Sequence, residues 1–392
     1  MGDLYGQAAI TGVAQTALGK VPGKSSMELN AEAALLALND AGMTPEDVDG
    51  LIVFGSRADD HVRYQAMVAE HLGMPVKRYT DVTKTGGASS AGALRTSASL
   101  IATGQCENVL VVFGDNLATG VDHHEMLQKF IDHHHAEFEV PYGPLIISLY
   151  ALVARRFFHE YGWNREMLAA AAVAERAFAV MNPDAQFRTP ITIQDVIESR
   201  PVTTPLHLLD CAPISDGAAA VVISKTELAK ATGKPPVHIL GASGRFSYYY
   251  IHSLPSYTDY LLKMARDSTS EAFAMAKLTP ADMDLACVGD PTSICVPFNL
   301  VGAGFAEIDT VEKMLLDGET GPGGKLPTNT HGGNLSCAHP GTPGQLLQIV
   351  EAVRQLRGEC GERQVQDATK ALVHGQAGVF SSHSSVVLST EL

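Results

Sequence analysis

Apolar positions along this chain form short runs that alternate with longer stripes at helical spacing. Residues 8–13 (AAITGV) are an apolar run ending in small residues, which predicts a buried strand. From Ser26, leucines and alanines recur at helical spacing up to Gly42, which predicts a helix that ends at the glycine. Short apolar strands separated by helices rich in small residues are typical of stacked layers, with helices on both faces of each sheet. The pattern therefore predicts an α/β fold.

The same order of elements occurs twice. The stretch TPEDVDGLIVFG from residue 44 recurs as TPADMDLACVGD from residue 279, each time after a predicted helix and before a predicted strand. Residues 85–90 (TGGASS) and 331–336 (HGGNLS) each precede a helix and then a strand. We interpret the chain as a duplicated α/β unit. Its predicted halves are residues 1–240, with a loop domain inserted at about 115–201, and residues 241–392.

Residues 326–344 (LPTNTHGGNLSCAHPGTPG) have no periodic apolar face, unlike the rest of the second half. Leu346, Ile349 and Val353 resume helical spacing directly afterwards, so this segment leads into a packed helix. A long polar loop next to packed structure is usually functional or disordered, and the helix disfavours disorder. We expect an ordered site loop whose chemistry-bearing side chains are His331, Asn334, Cys337 and His339.

Composition and charge limit the function. A net charge of −15 disfavours a nucleic-acid surface, although local basic residues remain compatible with an acidic cofactor. The six cysteines show no metal-binding or redox-motif spacing, and no segment reaches the ~18 apolar residues of a membrane span. Histidines cluster at 123–124 and 133–135, but adjacent histidines do not by themselves face one ion. We therefore expect a cytoplasmic protein with no membrane span and no metal site.

Three segments together resemble the thiolase superfamily, specifically its sterol-carrier-protein-x and lipid-transfer-protein branch. They are residues 141–162 (PYGPLIISLYALVARRFFHEYG), 208–224 (LLDCAPISDGAAAVVIS) and 329–344 (NTHGGNLSCAHPGTPG), in which His339-Pro340 is similar to the family's glycine-His-Pro motif. The resemblance implies a five-layered αβαβα core with an inserted loop domain. It also implies an acyl-CoA substrate, with coenzyme A as substrate or carrier and no covalently bound cofactor, and a homodimeric core.

The chain departs from this family at the nucleophile. Family thiolases carry a cysteine at the start of a helix in the first half, and the matching position here is Gly87. Ser89 and Ser90 follow it without a sequence-adjacent base, and a serine alone is a weak nucleophile. The Gly86-Gly87 pair is also compatible with a purely structural role, which is to let a backbone or a substrate approach closely.

Two further departures concern proton transfer. Where the family often has a second cysteine, this chain has His374, which is either a proton carrier or a histidine bonded to nearby backbone. Where the family has an asparagine signature, Asp290 is either an active-site carboxylate or the cap of the following helix. We expect His339 to stabilise an enolate oxygen. The predicted substrate or oxyanion loop also includes Gly86, Gly87, Ser89, Ser90, Gly332, Gly333, Asn334 and Tyr142.

Three functions remain open at this point. The first is a thiolase-type acyltransferase that makes or cleaves a carbon–carbon bond beside a CoA thioester, with Cys337 as a displaced nucleophile. The second is a retro-aldolase acting on a β-hydroxyacyl-CoA, which needs a base and an enolate site but no nucleophile. Members of this branch that degrade steroid side chains work with a small partner bearing a zinc ribbon and an OB-fold. The third is a non-catalytic subunit of a heteromer.

Overall fold

A computed structural model describes residues 4–59, 61–75, 77–131, 134–143, 145–229, 233–247 and 258–392. The strands are β1 (Ala8–Gln15), β2 (Gly50–Phe54), β3 (Tyr79–Thr83), β4 (Asn108–Asn116), β5 (Pro201–Thr203), β6 (Leu206–His207), β7 (Asp216–Lys225), β8 (Val237–Phe246), β9 (Leu285–Val288), β10 (Lys370–Ala377) and β11 (Ser382–Ser389). The helices are α1 (Ser26–Ala41), α2 (Tyr64–His71), α3 (Ser89–Ala102), α4 (His123–Ile131), α5 (Ile146–Tyr161), α6 (Arg165–Met181), α7 (Ile193–Glu198), α8 (Thr226–Ala229), α9 (Thr258–Ala276), α10 (Cys295–Gly302), α11 (Val311–Leu316) and α12 (Pro343–Leu356).

The strands of the two halves meet along a narrow seam. The strand order is β3-β2-β4-β7-β1-β8-β11-β10-β9, so each half contributes its strands as one block. Among the described strands, the pair that joins the two blocks is β1 with β8, at Ala9 with His238 and Ile10 with Val237. Because this junction is short, helices can pack on both faces of each block.

Three apolar cores lie between five layers. In the first core, α1 and α2 pack on one face of the N-terminal strands, where Leu110 of β4 points. In the central core, α3 and α12 pack side by side between the two blocks, against Val111 of β4 and Val373 of β10. In the third, α9 and α10 cover the outer face of the C-terminal strands, where Leu372 of β10 points. The predicted five-layered αβαβα fold is therefore confirmed.

The repeated Thr-Pro-x-Asp segments adopt the same structure in both halves. Each forms a short turn of helix with Pro45 or Pro280 at its first position. The aspartate that follows holds the next parallel strand: Asp49 accepts the Asn108 N–H at 3.0 Å, and Asp284 accepts the Lys370 N–H at 2.9 Å. Parallel pairs β2–β4 and β9–β10 are thus aligned by the same device.

The inserted segment contains α4 to α7, and its longest apolar stretch forms α5. The sequence predicts a helix here with Leu149, Leu152, Val153 and Phe157 on one apolar side. Phe157 is buried, but Leu152 is 63% exposed, and Tyr150 and Ala154 face the interior instead. Leu149 and Val153 are partly buried and pack against the third core with Phe157, so Leu152 is the one member of the predicted side that the structure exposes.

Two further expectations meet the limits of the described residues. Of the predicted histidine triplet, His133 lies outside them. Within them, no helix combines the length and the apolar character needed to cross a membrane.

Candidate active site

A cavity of about 390 Å³ opens where the two halves meet. Of the predicted site residues, it is lined by His339, Gly86 and Gly87, which come from both copies of the repeated glycine segment and its following loop. The sequence analysis did not predict the other residues that contribute most of its polar lining. These are Arg57, Lys84, Tyr150, Thr342, Gln345 and Gln376.

Gly86 and Gly87 lie against the end of β10. A Cβ atom added to Gly87 would collide with the backbone carbonyl oxygen of Gln376 and would lie 3.1 Å from Cγ of Gln345. Gly86 has φ +62°, and a Cβ there would lie 2.8 Å from Cβ of Ala377. The position that corresponds to the family's nucleophile therefore has no room for any side chain.

The two serines that follow the Gly86-Gly87 pair are buried in the protein interior. Ser89 and Ser90 begin α3 and are both buried. The Ser89 hydroxyl is hydrogen bonded to the Thr85 hydroxyl at 2.9 Å, whereas Ser90 Oγ has no partner in the described part of the chain. Neither serine is among the residues that line the cavity.

His339 lies on the loop before α12, and two hydrogen bonds of its backbone hold it in place. Its N–H donates to Ser215 Oγ at 3.1 Å, and its carbonyl accepts the Ser215 N–H at 3.3 Å. Burial, together with the positive charge of Arg57, lowers the pKa of His339 to about 4. The imidazole is consequently neutral at neutral pH, with one nitrogen able to donate a proton and the other able to accept one.

The other loop residues lie behind His339 rather than in the cavity. Asn334 is fully buried, and neither atom of its amide has a hydrogen-bond partner among the described residues. A Cβ added to Gly344 would lie 2.6 Å from Asn334 Oδ1 and 3.2 Å from His339 Cδ2, so both side chains contact that glycine. Gly332 packs against Ala179 on the far side of the loop.

Asp290 forms a buried carboxyl pair with Glu175 of α6. A Cβ on Gly333 would collide with an oxygen of each, so both carboxyls face that glycine. Burial raises the pKa of Asp290 to about 6, and burial and the Asp290 charge raise the pKa of Glu175 strongly. Asp290 accepts the Leu335 N–H at 3.1 Å and an N–H of Gln348 at 2.8 Å. It therefore fixes the glycine loop and neither lines the cavity nor caps α10.

His374 lies on β10 two residues before Gln376, on the same face of the strand, but it does not line the cavity. Its Nδ1 is 2.8 Å from Ser385 Oγ and its Nε2 is 3.1 Å from Nδ1 of His383. Burial and the neighbouring His383 lower the pKa of His374 far below its usual value. The structure does not bring His374 to the cavity, whereas Gly375, on the opposite face, points toward Gly87.

Cys337 and His331 are also absent from the cavity lining. Cys337 packs with Ala179 and Ala185, and its sulfur lies 3.7 Å from Nδ2 of Asn182. Burial raises the pKa of this thiol, which disfavours the thiolate. His331 is buried as well, and burial lowers its pKa to about 4. Neither residue has the exposure that a nucleophile or proton carrier needs.

A tyrosine does reach the cavity, but it is Tyr150 and not the predicted Tyr142. Tyr142 is 87% exposed and does not line the cavity. Tyr150 is buried on α5, where its hydroxyl oxygen accepts an N–H of Gln376 at 3.0 Å. Burial raises the pKa of Tyr150 well above its usual value, so its hydroxyl stays protonated. In the sequence, Tyr150 stands within residues 141–162, a segment that carries the family resemblance, next to Leu149 of the predicted apolar side.

Comparison with known proteins agrees with this architecture. The family model "Thiolase, N-terminal domain" matches residues 8–227, and "Thiolase C-terminal domain-like" matches residues 247–390. An acetyl-CoA acetyltransferase of Methanothermobacter thermautotrophicus is 34% identical over 94% of this chain and 96% of its own length. A steroid side-chain-cleaving aldolase of Thermomonospora curvata is 34% identical over 97% of this chain and 98% of its own. The solved structure titled "Ltp2-ChsH2(DUF35) aldolase" is 33% identical, with a TM-score of 0.87 over 98% of both chains.

The fold and the cavity define a duplicated α/β enzyme whose site is built from both halves. The chain belongs to the thiolase superfamily, in the branch that includes the sterol carrier and lipid-transfer proteins. The predicted family and branch are confirmed. The expectation of a thiolase-type enzyme of carbon–carbon bond chemistry, either acyltransferase or aldolase, is also confirmed at that level.

Proposed function

We propose that this protein is a retro-aldolase that cleaves a β-hydroxyacyl-CoA into a shorter acyl-CoA and a ketone or aldehyde. The observation that carries the proposal is the collision of any Gly87 side chain with the Gln376 carbonyl, because it removes the acyl-cysteine route. Among the described residues, no cysteine lines the cavity. Retro-aldol cleavage needs only proton transfer and a stabilised enolate, and both remain possible there.

His339 is the proton carrier in this proposal. It takes the proton of the β-hydroxyl group, the β-carbon becomes a carbonyl, and the electrons of the breaking carbon–carbon bond move into the thioester as an enolate. His339 then returns the same proton to the α-carbon, so no other reactant is consumed. Support comes from its neutral state and its position in the cavity, whereas His374 and Asp290, the carriers expected from the sequence, lie outside the lining.

Coenzyme A as the carrier of the acyl group is supported by the cavity's charge. Arg57 and Lys84 both line the cavity, in a chain whose net charge is −15. Two cations at one opening suit phosphate groups, since charge-assisted hydrogen bonds to phosphate are strong. We therefore propose that these two side chains favour binding of the anionic CoA thioester.

The similar solved structure, the Ltp2-ChsH2(DUF35) aldolase, carries two component names, which supports a partner for this chain. We propose a homodimeric core that binds a small protein with an OB-fold and a zinc ribbon, and a cytoplasmic location. Multi-angle light scattering of the chain alone and mixed with such a protein tests the assembly. A stable, fully active monomer that binds no partner would overturn it.

Product analysis tests the function itself. The chain is incubated with a panel of β-hydroxyacyl-CoA thioesters, and separately with β-ketoacyl-CoA thioesters plus free CoA. We expect a shorter acyl-CoA and a carbonyl product from the first panel without added CoA. Turnover confined to the second panel would establish thiolysis and would refute the aldolase proposal.

A further inference from the structure

Gln345 presents an amide to the bottom of the cavity. It lies in the first turn of α12, lines the cavity and is only 3% exposed. Its Oε1 has no hydrogen-bond partner in the part of the chain that the structure describes. Leaving a buried polar atom unpaired destabilises the folded protein. Packing alone therefore gives no reason for an amide at this position.

Three glycines from three different elements make room for this amide. A Cβ on Gly289, after β9, would lie 2.6 Å from Nε2 and 3.1 Å from Oε1 of Gln345. A Cβ on Gly375, in β10, would lie 3.5 Å from Oε1, and one on Gly87 would lie 3.1 Å from Cγ. The amide thus occupies the space beside the position where the family carries its nucleophile.

Another glutamine of the same helix shows what a structural role looks like. Gln355 is also buried, but its Nε2 donates to Glu351 at 3.0 Å and to the Arg363 carbonyl at 2.9 Å. Its Oε1 accepts the Val365 N–H at 2.8 Å. Gln355 is therefore satisfied within the protein, whereas the side chain of Gln345 makes no hydrogen bond among the described residues, so its amide N–H is available to a ligand in the cavity.

We propose that Gln345 is a catalytic residue that donates an N–H to the thioester oxygen as that oxygen becomes an enolate. Side-chain amides serve as donors of this kind in other enzymes, and they act where negative charge develops. This assignment rests on the proposed aldolase function. An enolate of an acyl thioester also forms without carbon–carbon cleavage, when a proton is exchanged at the α-carbon. His339 takes a proton from the α-carbon, the thioester oxygen gains the charge, and a proton from exchanged solvent is returned.

The test therefore measures both reactions. Wild-type protein, Gln345→Leu and Gln345→Glu are incubated with acetyl-CoA or propionyl-CoA in deuterium oxide, and deuterium at the α-carbon is followed by mass spectrometry. The cleavage rate of a β-hydroxyacyl-CoA is measured in parallel. For Gln345→Leu we expect both kcat values to fall by about 10²–10³, with a small change in KM, since one oxyanion donor is lost.

Gln345→Glu keeps the size of the side chain and adds an acceptor, so its activity is expected to fall below that of Gln345→Leu. Gln355→Leu is the matched control. It should lower the unfolding midpoint without changing kcat of the folded protein, whereas Gln345→Leu should leave the midpoint unchanged or raised. This contrast separates a lost donor from a damaged fold.

The outcomes distinguish the two proposals. If wild-type protein cleaves a β-hydroxyacyl-CoA and Gln345→Leu retains kcat within about threefold in both assays, the role of Gln345 is refuted and the aldolase function stands. If wild-type protein exchanges α-protons in a Gln345-dependent way but cleaves no β-hydroxyacyl-CoA, the enolate donor stands and the aldolase function fails. If wild-type protein does neither, both are overturned.

Discussion

Replacing Gly87 tests whether the fold leaves room for a side chain at the position where the family carries its nucleophilic cysteine. In Gly87→Ala, the new Cβ collides with a backbone oxygen, that of Gln376, which a side-chain rotation cannot relieve. Overpacking of this kind costs about 1–3 kcal/mol. Gly92→Ala is the matched control, because Gly92 lies in α3, which begins two residues after Gly87, and its Cβ would lie 3.8 Å from Ser384 Oγ, an ordinary contact.

The control should move stability in the opposite direction. A glycine inside a helix is about 1 kcal/mol less favourable than alanine, so Gly92→Ala should stabilise the protein by up to that amount. Urea denaturation should therefore separate the two variants by about 2–4 kcal/mol in the free energy of unfolding. The reasoning is refuted if Gly87→Ala is as stable as Gly92→Ala.

Gly87→Cys extends the experiment to chemistry. The thiol would carry the same collision, so we expect a destabilised protein that forms no acyl adduct with acyl-CoA. A stable Gly87→Cys protein that acquires an acyl group, detected by intact mass, would show that the position still accepts a nucleophile. It would also show that a single substitution restores thiolase-type chemistry.

Further expected outcomes concern the histidines and the buried thiol. His339→Gln should lower kcat by about 10²–10³ without changing the unfolding midpoint. The kcat/KM profile of the wild type should fall only near pH 4, because burial and a nearby cation lower the pKa of His339, and a break near 6.5 would contradict its role. Cys337→Ala should retain turnover within about threefold and lose roughly 1 kcal/mol of stability, because the thiol is buried outside the cavity. A loss of turnover beyond 10³-fold would instead identify Cys337 as a nucleophile. Burial lowers the pKa of His331 and His383 to about 4. Between pH 4 and 6.5 the unfolded chain therefore binds more protons than the folded one. The unfolding midpoint should consequently drop as the pH falls through that window. Asp290, with its pKa raised to about 6, acts in the opposite sense, and a midpoint that rises on acidification would mean that the carboxyl pair dominates.

The fold could be predicted because its signals are local and repeated. The turn at Pro45 and its copy at Pro280, the helix that ends at Gly42, and the runs that became β1 and β4 all follow from residue type and spacing. Strands such as β2 and β9 are short and apolar because helices cover both of their faces, and this shows in the sequence without any knowledge of contacts.

The site could be predicted only in part, because the glycine segments mark its backbone but not its side chains. His339 was identified since it stands on a loop with no apolar role, and the structure places it in the cavity lining. Tyr150 and Gln345 lie on helices, where an aromatic or an amide looks like packing until the facing elements are known. His374 shows the reverse: a strand was predicted there, but the histidine lies two residues before Gln376 and is bonded to Ser385 and His383 of β11, outside the cavity lining.

Intact-protein mass spectrometry during turnover tests the central claim most directly. The chain is mixed with a β-hydroxyacyl-CoA that it cleaves, quenched at times shorter than one turnover, and weighed. Cleavage without a nucleophile predicts an unmodified mass at every time, together with product formation that is independent of added free CoA. A transient mass increase equal to the acyl group, in a reaction that requires free CoA, would contradict the account.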